Sequence, residues 1–262
     1  MGDPLRVEDR ASVRWIVLNR PEALNAFDES LGAAFLDALR EASDPSVRCL
    51  VLTGEGKAFC AGEDLRALSG VYEKGEAPPL GEILRRRYNP AIVAMQELSK
   101  PVVAAVNGVA AGAGVSLALA ADYRVMAEEG SLILAFSKVG LVPDSGATWL
   151  LPRYLGAGRA MEMAFSSGAV TAQWALERGL VNRVVPLAEL AAVTEEVAKG
   201  FADGPTAAYG LIKRLVWSSF SSRLEDHLEA EANAQTSAGA TEDHMEGVRA
   251  FVEKRPPRFG GK

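Results

Sequence analysis

Between Lys100 and Asp122 the chain reads PVVAAVNGVAAGAGVSLALAA, a stretch without a charged side chain. Val102 to Val106 follow Pro101 as a short apolar run, which predicts a buried strand, and Asn107-Gly108 is turn chemistry. Beyond Gly112 and Gly114, residues Leu117, Ala118, Ala120 and Ala121 predict a helix. Strand, small-residue turn and buried helix in that order bring the unpaired N–H groups of a helix start close to a ligand. Two other readings fail. A membrane-spanning helix needs about 20 apolar residues, and this run is broken by Asn107-Gly108 and poor in large side chains. A phosphate loop places Gly-Lys-Ser/Thr at the helix start, whereas the next lysine here is Lys138. The bland alternative is that the glycines only pack a helix against a sheet.

A second candidate is an acid, Asp144, within Val142-Pro143-Asp144-Ser145-Gly146. Phe136, Val139, Leu141 and Trp149 flank it and can form an apolar pocket, which raises a carboxyl pKa toward a value useful for proton transfer. The same aspartate equally suits the N-cap of a helix beginning at SGATWLL. Asp64 reads as a turn or helix cap. Arg85-Arg86-Arg87, the basic triplet, reads as a solvated helix face.

The elements that position these residues alternate between strand and helix. Val13 to Asn19 and the stretch 47–54 (VRCLVLTG) predict strands; Asp28 caps a helix whose apolar face is Leu31, Phe35, Leu36 and Leu39. A polar loop at about 69–81 leads into a helix near 82–98, with a kink expected at Pro90. Further strands are expected at about 123–127, 131–135 and 181–186, and beyond 188 the pattern is helical. The prediction is an α/β core over residues 1–187 with a helical region over 188–262, packed on that core or on a neighbouring subunit.

Composition narrows the partners. The 262 residues carry a net charge of −6, which does not suggest nucleic acid or an anionic membrane. Cys49 and Cys60 are the cysteines, too few for a disulfide framework or a metal cluster, and Cys49 sits in an apolar run as a small core side chain. The start MGDPLRVEDR lacks the apolar region of a secretory signal, so a reducing cytoplasm is the expectation.

Three segments, AFCAGEDL at 58–65, AAVNGVAAGAGVSLALAAD at 104–122 and FSKVGLVPDSGATWLLPR at 136–153, occur in an order that resembles the crotonase, or enoyl-CoA hydratase/isomerase, superfamily. The resemblance runs from LNRPEALNAF (18–27) to EDHMEGVRAFVEKRPPRF (242–259). It implies a spiral of β-β-α turns with a C-terminal helical region, assembly as trimers or paired trimers, and acyl-CoA thioester substrates, with coenzyme A entering as part of the substrate and no bound cofactor or metal. It also implies an oxyanion hole made by the N–H groups of Glu63 and Ala113. Two preorganised donors suit such chemistry, because proton removal next to a thioester drives charge onto the carbonyl oxygen, and each can be worth roughly 3–4 kcal/mol.

Hydratases of this family use two glutamates, and the matching positions here hold Ser116 and Phe136. The two-glutamate route to hydration is therefore missing, although Ser116 can hold a water or simply bond within its own helix. GLVPDSGATWLLPR resembles the bacterial epoxyphenylacetyl-CoA isomerases, in which the aspartate of PDSG shuttles the proton. One base suffices for a 1,3-shift, since it can return a proton to the face from which it took one. By resemblance the acyl pocket includes Ser116, Phe136 and Leu141, and the CoA groove Arg20, Lys57 and Ala61, with Lys254 reaching CoA from another subunit. Exposed lysines and arginines are more often merely solvated. Family dehalogenases place a nucleophilic aspartate at position 144 with a histidine and a tryptophan nearby, but Asn89 and Phe136 stand there instead. RNA-binding relatives form a further class, which the acidic balance and the lack of a basic-aromatic stripe oppose.

Overall fold

The computed structural model describes residues 2–262. Leu5–Arg10 (β1) and Val13–Leu18 (β2) form an antiparallel hairpin. Strands then come in successive pairs: Cys49–Gly54 (β3) with Ala58–Cys60 (β4), Val102–Val106 (β5) with Val109–Ala111 (β6), and Tyr123–Ala127 (β7) with Ser131–Ile133 (β8). Ala169–Thr171 (β9) and Arg183–Val185 (β10) follow. The first member of each pair enters a six-stranded sheet, β1-β2-β3-β5-β7-β10, and the second a four-stranded sheet, β4-β6-β8-β9. Each circuit of the chain thus adds one parallel strand to each sheet, which is the spiral of β-β-α turns expected from the resemblance.

The helices are Glu29–Glu41 (α1), Ser69–Glu73 (α2), Leu80–Ile83 (α3), Asn89–Glu97 (α4), Ala113–Ala120 (α5), Ala147–Ser166 (α6) and Ala172–Glu177 (α7). After β10 the chain is helical, with Leu187–Ala202 (α8), Thr206–Ser218 (α9), Leu224–Gly239 (α10) and Glu242–Glu253 (α11). Period-2 alternation splits the large sheet between two apolar layers. Trp15, Val51, Val103 and Val125 face α8, which contributes Leu190, Ala198 and Ala202. Ile16, Leu52, Ala104 and Met126 point the other way, into the main core with α1, α4 and α5. In α1 the Asp28 carboxylate accepts the Leu31 N–H at 2.8 Å, and Leu31, Phe35 and Leu39 are buried as the periodicity requires. All eight residues of α5 are buried, so this helix has no solvent face.

Several local expectations change. The loop at 69–81 contains α2 and the start of α3. The helix near 82–98 is interrupted just ahead of Pro90 by a widened π turn, Leu84–Tyr88, after which α4 begins with Pro90 in its first turn. The strand expected over 131–135 ends at Ile133, and a 3-10 turn follows at Phe136–Val139. Among the described residues no helix is long and apolar enough to cross a membrane.

Candidate active site

The strand pairs β3–β4 and β5–β6 bring two short main-chain segments side by side. β4 and β6 run parallel in the small sheet, and the chain leaves each through a glycine, Gly62 after β4 and Gly112 after β6. Gly62 has φ 87° and Gly112 φ 52°, conformations that L side chains rarely adopt. A Cβ added to Gly62 would lie 3.0 Å from the Ala111 carbonyl oxygen and 3.2 Å from the Ala113 nitrogen. The two segments therefore touch at the peptide planes that follow them.

The free N–H groups arise from this geometry. Phe27 N–H donates to the Gly62 carbonyl at 2.7 Å, and Asp64 N–H donates to the Phe27 carbonyl at 2.9 Å. This parallel bridge uses the residues on either side of Glu63 and turns the Glu63 N–H away from Phe27. Ala113 is the first residue of α5, where an N–H has no helical acceptor. Among the described residues neither N–H donates to any acceptor.

Both residues line one cavity of about 160 Å³. Its other walls are Ala61 and Leu65, then Leu80, Ile83, Leu84 and Tyr88 from the 80–88 segment, and Ala135, Phe136, Val139, Leu141 and Asp144 from the segment after β8. Asp144 does not cap α6: that helix begins at Ala147 behind Gly146, whose φ is 84°, with no side-chain cap. Instead the Asp144 main-chain carbonyl accepts the Ala147 N–H at 2.9 Å and the Ser116 hydroxyl at 2.9 Å, while the carboxylate accepts the Ser145 hydroxyl at 2.8 Å. Ser116 thus ties α5 to the aspartate's loop rather than bonding within its own helix. Burial pushes the Asp144 carboxyl above the ordinary range; the Ser145 hydroxyl pulls it partly back, and the nearby Glu63 carboxylate pushes it up again.

The structure thus gathers Ala61, Glu63, Ala113, Phe136, Leu141 and Asp144 around one space. Trp149, expected in that wall, packs elsewhere, with its ring 5.2 Å from Trp217 and the Arg153 guanidinium 3.7 Å above it. Arg20 is committed within the chain, paired with Asp64 at 3.0 Å and Asp28 at 3.1 Å. Asp64 also accepts the Arg66 N–H at 3.2 Å, as a cap should. Lys57 and Lys254 do not line the cavity; Lys254 sits beyond α11 at φ 55°. Cys60, buried beside the Gly62 turn, has its thiol pushed up to about 12 by burial, so it is a packing residue and no nucleophile.

The reading of Arg85-Arg86-Arg87 as a solvated face fails for Arg87, whose side chain is 11 % exposed. It points inward to the Glu63 carboxylate at 2.7 Å, and the buried Tyr88 hydroxyl donates to the same carboxylate at 2.7 Å. The spacing carried a signal for the neighbouring wall though not for the Arg87 contact itself. Leu80, Ile83, Leu84 and Tyr88 follow an i, i+3, i+4, i+8 pattern, and an apolar face there must cover something.

Comparison with known proteins gives the family. Residues 8–262 match the enoyl-CoA hydratase/isomerase family. The chain is 43 % identical over 251 residues to a 1,2-epoxyphenylacetyl-CoA isomerase of Escherichia coli (strain K12), covering 95 % of each chain. It is 39 % identical over 258 residues to a probable enoyl-CoA hydratase of Rhodobacter capsulatus, with 98 % of each covered. Among solved structures, an enoyl-CoA hydratase from Bacillus anthracis superposes with a TM-score of 0.92 at 33 % identity, over 99 % of this chain and 100 % of that one. A match of this extent, on a fold whose strand pairs build the cavity from two successive turns, places the chain in the enoyl-CoA hydratase/isomerase family.

Proposed function

We propose that the protein is an acyl-CoA isomerase in which Asp144 moves a proton while the N–H groups of Glu63 and Ala113 hold the thioester oxygen. The observation that carries this reading is the single cavity shared by two unpaired main-chain donors and one acid whose pKa is raised by burial. As Asp144 removes a proton in conjugation with the thioester, charge develops on the carbonyl oxygen, and donors already in place stabilise it without reorganising. The start of α5 adds its dipole to the Ala113 N–H. The same carboxyl then returns the proton to another carbon. Ser116 and Phe136, standing where the two-glutamate route needs carboxylates, leave hydration without its second acid.

The favoured substrate is ring-1,2-epoxyphenylacetyl-CoA, rearranged toward an oxepin, with 3-enoyl to 2-enoyl double-bond migration as a related activity. Identity to the Escherichia coli isomerase and the apolar wall of Phe136, Leu141 and Leu84 support it. CoA would run past Ala61, with Lys57 and a second subunit's terminal segment supplying cations, in a trimer-based assembly in the cytoplasm. The test is a substrate panel of an epoxyphenylacetyl-CoA, a 3-enoyl-CoA and crotonyl-CoA, with products separated by chromatography. Isomerised products that vanish in Asp144→Asn are expected. Rapid hydration of crotonyl-CoA would replace the isomerase reading with the hydratase one.

A further inference from the structure

The proposed chemistry uses the main chain of Glu63 and gives its side chain no task, yet that side chain is held at three points. Arg87 Nη1 lies 2.7 and 2.8 Å from the two carboxylate oxygens, and the Tyr88 hydroxyl donates to Oε2 at 2.7 Å. Arg87 Nη2 reaches outward to Glu29 at 3.1 Å. The inner pair is shielded, at 17 % and 11 % exposure, whereas Glu29 stands in solvent at 80 %.

Three consequences follow from this placement. A bare carboxylate near a forming oxyanion would oppose the new charge, and Arg87 offsets part of it. Gly62, at φ 87°, has no side chain to stiffen the turn before Glu63, so neighbours must restrain that peptide. On one side the Phe27 bridge does so, and on the other the Glu63 side chain is the available anchor. Finally, Arg87 and Tyr88 belong to the widened turn Leu84–Tyr88, whose segment also supplies Leu80, Ile83 and Leu84 to the cavity wall.

We infer that the Glu63 side chain, gripped by Arg87 and Tyr88, is a positioning residue for the reaction: it fastens the helical wall of the acyl cavity to the peptide that presents the Glu63 N–H. This rests on the oxyanion-hole reading above. An acyl group that seats the 80–88 wall correctly thereby aligns the donor, and one that displaces the wall loses it. Acyl selection then appears in turnover rather than in binding.

The test compares wild type, Asp144→Asn, Glu63→Gln, Tyr88→Phe and Glu29→Gln on a 3-enoyl-CoA. Turnover, KM and the pH profile are measured on proteins whose melting shows them folded. Glu63→Gln should lower kcat about 10- to 100-fold with KM within about threefold, because a misplaced donor is felt in the transition state. Tyr88→Phe should lower kcat about 3- to 10-fold, and Glu29→Gln should change neither constant, since it removes only the solvent-side contact. Glu63 and Tyr88 are the titratable groups that share the cavity with Asp144, so Glu63→Gln should also move the acid limb of the profile to lower pH. A packing role would lower the melting temperature and leave kcat in place, whereas the limb moves with the lost charge in either case. Parental kcat in folded Glu63→Gln, or parental kcat in Tyr88→Phe should the first variant not fold, overturns the inference. An inactive wild type removes the proposed function and this inference together. An active wild type with an inactive Asp144→Asn and a parental Glu63→Gln removes this inference alone.

Discussion

Replacing Gly62 with alanine puts a methyl group between the two proposed donors. The new Cβ would sit 3.0 Å from the Ala111 carbonyl oxygen and 3.2 Å from the Ala113 nitrogen, inside ordinary van der Waals separation, so the β6–α5 junction must give by a few tenths of an ångström. The window in which a donor serves an oxyanion is about 2.7–3.1 Å. A displacement of that size therefore takes at least one N–H out of range, and losing one donor costs about 10²–10³ in kcat, or roughly 3–4 kcal/mol. Holding alanine at φ 87° adds about 1–2 kcal/mol of backbone strain. In a chain of this size that corresponds to a fall in Tm of about 2–8 °C. Gly200→Ala is the matched control, since its Cβ meets nothing within 4 Å; it should leave kcat alone and stabilise α8 slightly. Steady-state turnover of a 3-enoyl-CoA, with calorimetry on the same samples, reads both effects. A folded Gly62→Ala protein within threefold of parental kcat would refute the claim that these two peptides act on the thioester oxygen.

Four further outcomes are expected. Asp144→Asn should lower isomerase turnover about 10²–10⁴-fold, seen as loss of product by chromatography. It should also raise stability. The folded-state pKa of Asp144 lies above its unfolded value, so the native protein binds the extra proton between the two, and stability falls as pH rises through that window. Removing the acid recovers that loss, by about 1.4 kcal/mol for each tenfold difference in proton affinity between the folded and unfolded chain. The gain should be absent below pH about 4, the unfolded value, and level once the folded group is ionised; an asparagine variant that melts lower at neutral pH would contradict it. In wild type, kcat/KM should climb with pH along an acid limb whose midpoint lies above the ordinary carboxylate value, and a midpoint below that value would exclude a buried aspartate as the base. Lys213→Met should destabilise by about 3 kcal/mol in urea unfolding, because it strands the partly buried Asp122 that Lys213 Nζ meets at 2.7 Å.

Much of this architecture can be read from periodicity. β2, β3, β5 and α1 carry enough consecutive apolar positions to declare themselves, and Asp28 announces its helix by the chemistry of the cap. β4, β6 and β9 do not, since strands of three residues give alternation too few positions to register, and their pairing is settled by neighbours far along the chain. β1 escapes for a different reason: LRVEDR is an edge strand with charged residues along it, and charge is what edges use to avoid further pairing. At the site, Asp144, Glu63 and Ala113 were legible because motifs in fixed order carried them. The Arg87–Glu63–Tyr88 contact was not, because it joins positions 24 and 25 residues apart through a turn whose widening no local spacing dictates. Trp149 was misplaced because its neighbour Trp217 comes from the C-terminal helices, and that competition for an aromatic partner lies outside any local window.

The cavity has two kinds of wall. One is peptide backbone locked between stacked circuits of the spiral, and the other is replaceable hydrocarbon on the 80–88 and 136–141 stretches. Drift in the hydrocarbon can retailor which acyl tail is accepted while the backbone face stays fixed, since no codon change at Glu63 or Ala113 other than to proline deletes an amide hydrogen. On the proposed reading, the electrostatics of the site lie in main chain that substitution barely reaches, and the choice of acyl tail lies in side chains that substitution changes freely.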